Sequence, residues 1–251
     1  MRTVTIETSL GPIPVTGAFG DKLSVLAIPG AFADEHQLSR HPETVAPEFD
    51  GYVAHLPGWI TPPLAEASIP AFTRAFDEVL AVLGPSVVVG YSAGALVALG
   101  LRSPLLKAVV AVEPPLLPAK MWSAVATFRS FLGTPHDGFV RNLFGVHEDR
   151  LEERDYRGLL DGLSVPLHTI VGSEPLYPVR PLARVPSVVD EPERALLQRH
   201  GHLTVAQGAG HAIPSQAGRA MLGVVLETCR LAVGVEPHRA SVNLARAHGD
   251  A

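Results

Sequence analysis

A serine hydroxyl can attack an acyl carbonyl when a histidine takes its proton and a carboxylate orients that histidine. The run Val87-Val88-Val89-Gly90-Tyr91-Ser92-Ala93-Gly94 contains a serine suited to this role. Three β-branched residues read as a buried strand ending at Gly-x-Ser-x-Gly, and Ala93, Leu96, Val97, Leu99, Gly100 and Leu101 follow with helical spacing. A strand that turns this sharply into a helix exposes the serine beyond the carboxyl end of a sheet. Gly90 and Gly94 fit such a turn because it leaves little room for a Cβ. The plainer alternative is a solvent-facing serine in an ordinary strand-to-helix turn.

With eleven histidines in the chain, position has to identify the base. His211, in Gln207-Gly208-Ala209-Gly210-His211, follows the last expected strand and so falls at the same end of the sheet as Ser92. His36, His41, His136, His147, His238 and His248 stand in polar or loop contexts and are expected to face solvent, whereas His55 and His168 lie inside strands and are expected to pack. His200 and His202 form a His-x-His pair with no carboxylate or cysteine cluster beside it, which argues against a metal. Two acids compete to orient the base. Glu174 follows Val171-Gly172, and Glu113 follows Val112; both stand at carboxyl ends of strands. The order Ser92, Glu174, His211 is nucleophile, acid, base. Two backbone donors would complete an oxyanion hole: the N–H of Ala93, and that of Ala31 in Pro29-Gly30-Ala31-Phe32.

Alternating strands and helices must hold these loops together. A hairpin is expected over Thr3–Thr8 and Ile13–Val15. Strands are expected at 24–28, 52–56, 87–89, 108–112, 167–171 and 203–206, and helices at 65–83, from 93 to about 102, 191–199 and 215–233. This pattern implies an α/β architecture with a mostly parallel sheet covered on both faces. Between Glu113 and Leu163 the alternation breaks into a helical stretch without a strand. That stretch is expected to be a cap insertion, 114–163, between core segments 1–113 and 164–235, with a low-order tail at 236–251. Trp122, Phe128, Phe131, Phe139 and Phe144 could line an apolar pocket or form the cap's own small core.

From about Ser24 to Val233 the chain resembles the α/β-hydrolase superfamily. Gly90-Tyr91-Ser92-Ala93-Gly94 is similar to its nucleophile elbow, Gly208-Ala209-Gly210-His211 to its histidine loop, and Gly172-Ser173-Glu174-Pro175-Leu176-Tyr177-Pro178 to its acid loop. Leu56-Pro57-Gly58-Trp59 resembles a further loop in which histidine usually stands at the place of Trp59. Trp59 could line the acyl pocket or pack the loop. Pro29-Gly30 replaces the usual His-Gly, and the acid loop is one residue short with Glu in place of Asp. The resemblance implies a Ser92-His211-Glu174 triad, with Glu113 as the alternative acid because some relatives place theirs before the cap. It implies cleavage of an ester or related acyl bond in a small-molecule substrate, without a cofactor. The same fold also serves C–C bond hydrolysis, acyl transfer, lyase chemistry and non-catalytic binding.

Bulk properties agree with this reading. With 251 residues and 47% hydrophobic content, the chain suits one large α/β domain or two small ones. A formal net charge of −5 without a basic run argues against nucleic acid as a partner. The single cysteine, Cys229, excludes a disulfide framework and reads as a buried apolar residue. Neither a secretory signal nor a run of apolar residues long enough to span a bilayer is legible, so a soluble cytoplasmic protein is expected.

Overall fold

The computed structural model describes residues 1–33, 38–45, 48–181 and 184–234. The expected low-order tail and His36, His238 and His248 lie outside these residues.

Two short apolar strands occupy the middle of the sheet. β3 (Ser24–Ile28) and β5 (Ser86–Tyr91) are buried at every position and run in parallel, with Leu26 opposite Val88. β6 (Leu106–Val112), β7 (Leu167–Gly172) and β8 (His202–Ala206) extend the parallel sheet on one side, and β4 (Asp50–Val53) extends it on the other. β1 (Arg2–Thr8) and β2 (Gly11–Gly17) form an antiparallel hairpin beyond β4, which gives the order β1-β2-β4-β3-β5-β6-β7-β8. Side chains alternate between the faces, as the pleat requires. Leu26, Ile28, Val88, Val109 and Ala111 enter one core. Val25, Val87, Val89, Val110 and Val112 enter the other.

Helices cover both cores. α2 (Ile69–Leu83) and α3 (Ala93–Gly100) lie over the first, while α1 (His41–Val45), which the periodicity did not reveal, and α8 (Gly218–Ala232) lie over the second. α2 begins later than its apolar spacing predicted because Ser68 caps it, its Oγ accepting from the Ala71 amide at 3.2 Å. The closing helix is divided into α7 (Ile213–Gln216) and α8, since Ala217 leaves helical geometry with φ −139°. α6 (Glu191–His200) starts on a capping box formed by Asp190 and Glu193.

Residues 114–163 contribute no strand to the sheet among the described residues. They form α4 (Val125–Arg129), α5 (Asp137–Phe144) and two single 3-10 turns, with one isolated bridge between Val146 and Leu151. Among the described residues no helix is long and apolar enough to cross a membrane.

Candidate active site

Ser92 occupies the turn between β5 and α3 with φ 54° and ψ −121°, a sparsely populated positive-φ conformation that costs a non-glycine residue about 1–3 kcal/mol. The tightness of the turn explains the glycines around it. A Cβ on Gly90 would collide with the Gly94 carbonyl, and one on Gly94 with the carbonyl of Ile28 in β3. Ser92 is the N-cap residue of α3, yet its side chain makes no capping bond, so the hydroxyl is not committed to the helix. Its amide donates to Val112 at 2.8 Å, which ties the turn to the end of β6.

The residue after Val112 is Glu113, also at positive φ, 52°, and wholly buried. Four donors surround its carboxylate. Oε1 accepts from the Gly172 amide at 2.6 Å and the Ser187 hydroxyl at 2.8 Å; Oε2 accepts from the Val188 amide at 2.8 Å and His211 Nδ1 at 3.2 Å. A buried carboxylate is tolerated when it is paired and hydrogen-bonded in this way. With Nδ1–H given to Glu113, the neutral imidazole carries its lone pair on Nε2, the tautomer that can accept a proton. The His211 backbone is held as well: its amide donates to Val185 at 3.0 Å, and its carbonyl accepts from Ile213 at 2.8 Å.

Glu174, the acid expected from the motif, does not reach His211. Its carboxylate is about a third exposed and accepts from the Arg180 guanidinium at 2.6 Å. The Glu174 backbone instead helps to form the cradle around Glu113: its carbonyl accepts from Ser187 at 3.0 Å, and Ser187 in turn holds Glu113. Arg194 on α6 braces the same loop, bonding the carbonyls of Gly172 at 2.7 Å and Val189 at 3.3 Å. The loop after β7 therefore supplies the surroundings of the acid, while the side chain comes from β6.

Ala93 follows Ser92 in the chain, and the residue before Ala31, Gly30, lies against Ser92. Ala93 is the first residue of α3, so its N–H has no intrahelical acceptor. Ala31 follows Gly30 in a turn closed by the bond from Ala33 N to Gly30 O at 3.3 Å. That turn packs onto Ser92: a Cβ on Gly30 would lie 3.2 Å from Ser92 Cβ.

Phe32 comes next, and its ring joins the aromatics of 114–163. It stacks on Phe131 at 4.9 Å and meets Phe128 at 5.3 Å, Phe144 at 5.9 Å and Phe139 at 6.0 Å. Trp59 closes the group edge-on to Phe32 and Phe131, each at 5.1 Å. Of these rings Phe128, Phe139 and Phe144 are buried, so they form a core joined to the loop beside Ser92. Trp122 is bonded elsewhere, its indole donating to Leu176 O at 3.2 Å.

Some histidine expectations change. His41 is buried, which pushes its pKa down to about 4, and His136 packs on Trp59 at 4.3 Å instead of facing solvent. His147 also turns inward to bond Arg141 at 3.0 Å. His168 hydrogen-bonds Thr204 at 2.8 Å and packs 5.8 Å from His202.

No protein-family model matches the chain, and no curated protein matches its sequence. Solved structures do match its fold. An N-acyl homoserine lactonase in complex with N-hexanoyl homoserine lactone superposes with TM-score 0.69 at 17% identity, over 94% of this chain and 100% of that one. The carboxylesterase CesB from Bacillus subtilis gives 0.67 at 13%, over 90% of each chain. A thermophilic esterase from Thermogutta terrifontis gives 0.65 at 18%, over 92% of this chain and 99% of that one. The chain has the α/β-hydrolase fold.

Proposed function

We propose that the protein is a serine hydrolase that cleaves an ester or related acyl bond in a small-molecule substrate, with Ser92 as nucleophile, His211 as base and Glu113, in place of Glu174, as the orienting acid. The observation that carries this reading is the buried Glu113 carboxylate on His211 Nδ1, at the end of the strand whose Val112 carbonyl holds the Ser92 amide. Support also comes from the strained backbone of Ser92 and Glu113, because such strain concentrates at active sites.

In the proposed reaction Ser92 Oγ attacks the acyl carbonyl while its proton passes to His211 Nε2. The negative charge on the carbonyl oxygen is held by the N–H groups of Ala31 and Ala93. Collapse of the tetrahedral intermediate breaks the bond to the alcohol, which takes the proton from His211. Water then attacks the acyl-enzyme with His211 again as base, and its proton returns to Ser92. Glu113 remains ionised and stabilises the imidazolium formed in each step. One oxyanion donor of this kind contributes about 3 kcal/mol of transition-state stabilisation. Residues 114–163, with Phe32 and Trp59, act in this reading as a cap that walls the acyl site with aromatic rings. The resemblance to esterases and a lactonase is consistent with ester-like substrates.

The test is labelling by a fluorophosphonate probe together with hydrolysis of chromogenic esters of graded acyl length, with Ser92→Ala as the blank. Stoichiometric labelling confined to Ser92 and turnover abolished in Ser92→Ala are expected. Turnover that survives Ser92→Ala, or absence of labelling in the native protein, overturns the reading.

A further inference from the structure

Tyr91 stands between Gly90 and Ser92, and its side chain touches more of the site than any argument from the turn requires. The ring lies 5.2 Å from the His211 imidazole, centroid to centroid, with 32° between their planes. Its hydroxyl donates to the His211 carbonyl at 3.1 Å. On another side it borders the oxyanion loop: a Cβ on Gly30 would come within 3.3 Å of Tyr91 Cδ1. The residue is 6% exposed, so the phenol is shielded from water. Burial, and then the charge of Glu113, push its ionisation well above the usual tyrosine range. The hydroxyl therefore stays a donor throughout the working pH range.

We infer that Tyr91 is a positioning residue for His211, gripping the base through ring packing and a hydroxyl-to-carbonyl bond and linking it rigidly to the adjacent Ser92. This inference rests on the reading of Ser92 and His211 as nucleophile and base. Among the described residues His211 has two other kinds of anchor: Glu113 on one ring nitrogen, and backbone bonds from Val185 and Ile213. Tyr91 meets the His211 ring, bonds its carbonyl and is covalently attached to Ser92. A ring held at Nδ1 alone can still swing about that bond, and proton transfer tolerates little misplacement. A phenylalanine at position 91 would keep the face contact and lose the grip on the carbonyl. A leucine would lose both.

The experiment measures kcat, KM and fluorophosphonate labelling rate for Tyr91→Phe and Tyr91→Leu. The folded fraction is checked by circular dichroism. Val15→Ala on β2, buried in the first core with two strands between β2 and β5, serves as a control for plain destabilisation. Tyr91→Phe is expected to lower kcat about fivefold and Tyr91→Leu about a hundredfold, each with KM within twofold and with labelling falling in parallel. Val15→Ala is expected to melt earlier but keep kcat. The inference is overturned if both Tyr91 variants keep native kcat, if they lose it only in proportion to the folded fraction, or if KM alone rises. A native protein that neither labels nor turns over would instead refute the hydrolase reading, so the two failures are distinguishable.

Discussion

Replacing Glu113 by glutamine is the sharpest probe of the site, because it keeps the shape and removes the charge. A carboxylate can accept from all four of its donors, whereas an amide accepts only at its oxygen. If the Gln oxygen faces Val188 and His211, the amide nitrogen faces the Gly172 N–H and the Ser187 hydroxyl. Ser187 can rotate to accept, but the Gly172 amide, now 2.6 Å from an acceptor, would be left without one. One buried N–H left unmet costs about 1–3 kcal/mol, or about 2–12 °C in Tm for a chain of this size. The effect on rate is larger. In the proposed reaction the imidazole becomes cationic as Ser92 loses its proton, with the Glu113 oxygen 3.2 Å from its nitrogen. At an effective dielectric of about 20 that attraction is about 5 kcal/mol, equivalent to about ten-thousand-fold in kcat. Initial rates on a chromogenic ester, with Ser92→Ala subtracted and melting followed in parallel, give both quantities. Glu174→Gln removes a partly exposed ion pair with Arg180 and should change kcat by less than about twofold. If Glu174→Gln loses a hundredfold or more while folded Glu113→Gln keeps its rate, the assignment of the acid is wrong.

Three further outcomes are expected. Ser92→Gly should end probe labelling yet raise Tm by about 2–4 °C, since glycine relieves the positive-φ strain at φ 54°; a lowered Tm in differential scanning fluorimetry contradicts stored strain at the turn. Glu193 is buried beside Asp190 and Lys120, and burial pushes its pKa from 4.5 up to about 7. The native state then binds more protons than the unfolded one between pH 4.5 and 7, so the contribution of Glu193 lowers stability as pH rises through that window. Tm curves of native protein and Glu193→Gln should therefore converge at pH 4.5 and separate by pH 8, with the variant on top; parallel curves refute this. The Cys229 thiol, pushed up to about 12 by burial, should ignore Ellman's reagent in the folded protein and react on unfolding in guanidinium.

Most of the fold was legible because its signals are local. Val87–Val89 must be buried on both faces, and the glycines around Ser92 mark a turn that few other geometries explain. The strands after it repeat the same apolar runs. Boundaries that depend on single side chains were harder to read. The cap on Ser68 and the break at Ala217 override an apolar spacing that continues through both. At the site, Ser92 and His211 announce themselves by position, but motif matching favoured Glu174 over Glu113. A different physical signal pointed to Glu113: it ends the apolar run Ala108–Val112 and precedes two prolines, so a charge there enters the interior and must find partners. Those partners are two side chains, Ser187 and His211, and two backbone amides, Gly172 and Val188, all far along the chain. No pattern of side-chain types encodes the two amides.

The reach of Phe32 into the rings of 114–163 bears on how such chains diverge. Exchange of that helical stretch between relatives is not a cut-and-paste event. Phe32 and Trp59 lie outside the exchanged piece, and they would arrive unmatched against foreign rings. A graft that carries positions 32 and 59 along with 114–163 preserves the contacts that abut the Gly30–Ala31 turn. If these rings wall the acyl site as proposed, the unit that sets specificity is discontinuous, and a recombination scheme for this scaffold has to treat its three pieces as one.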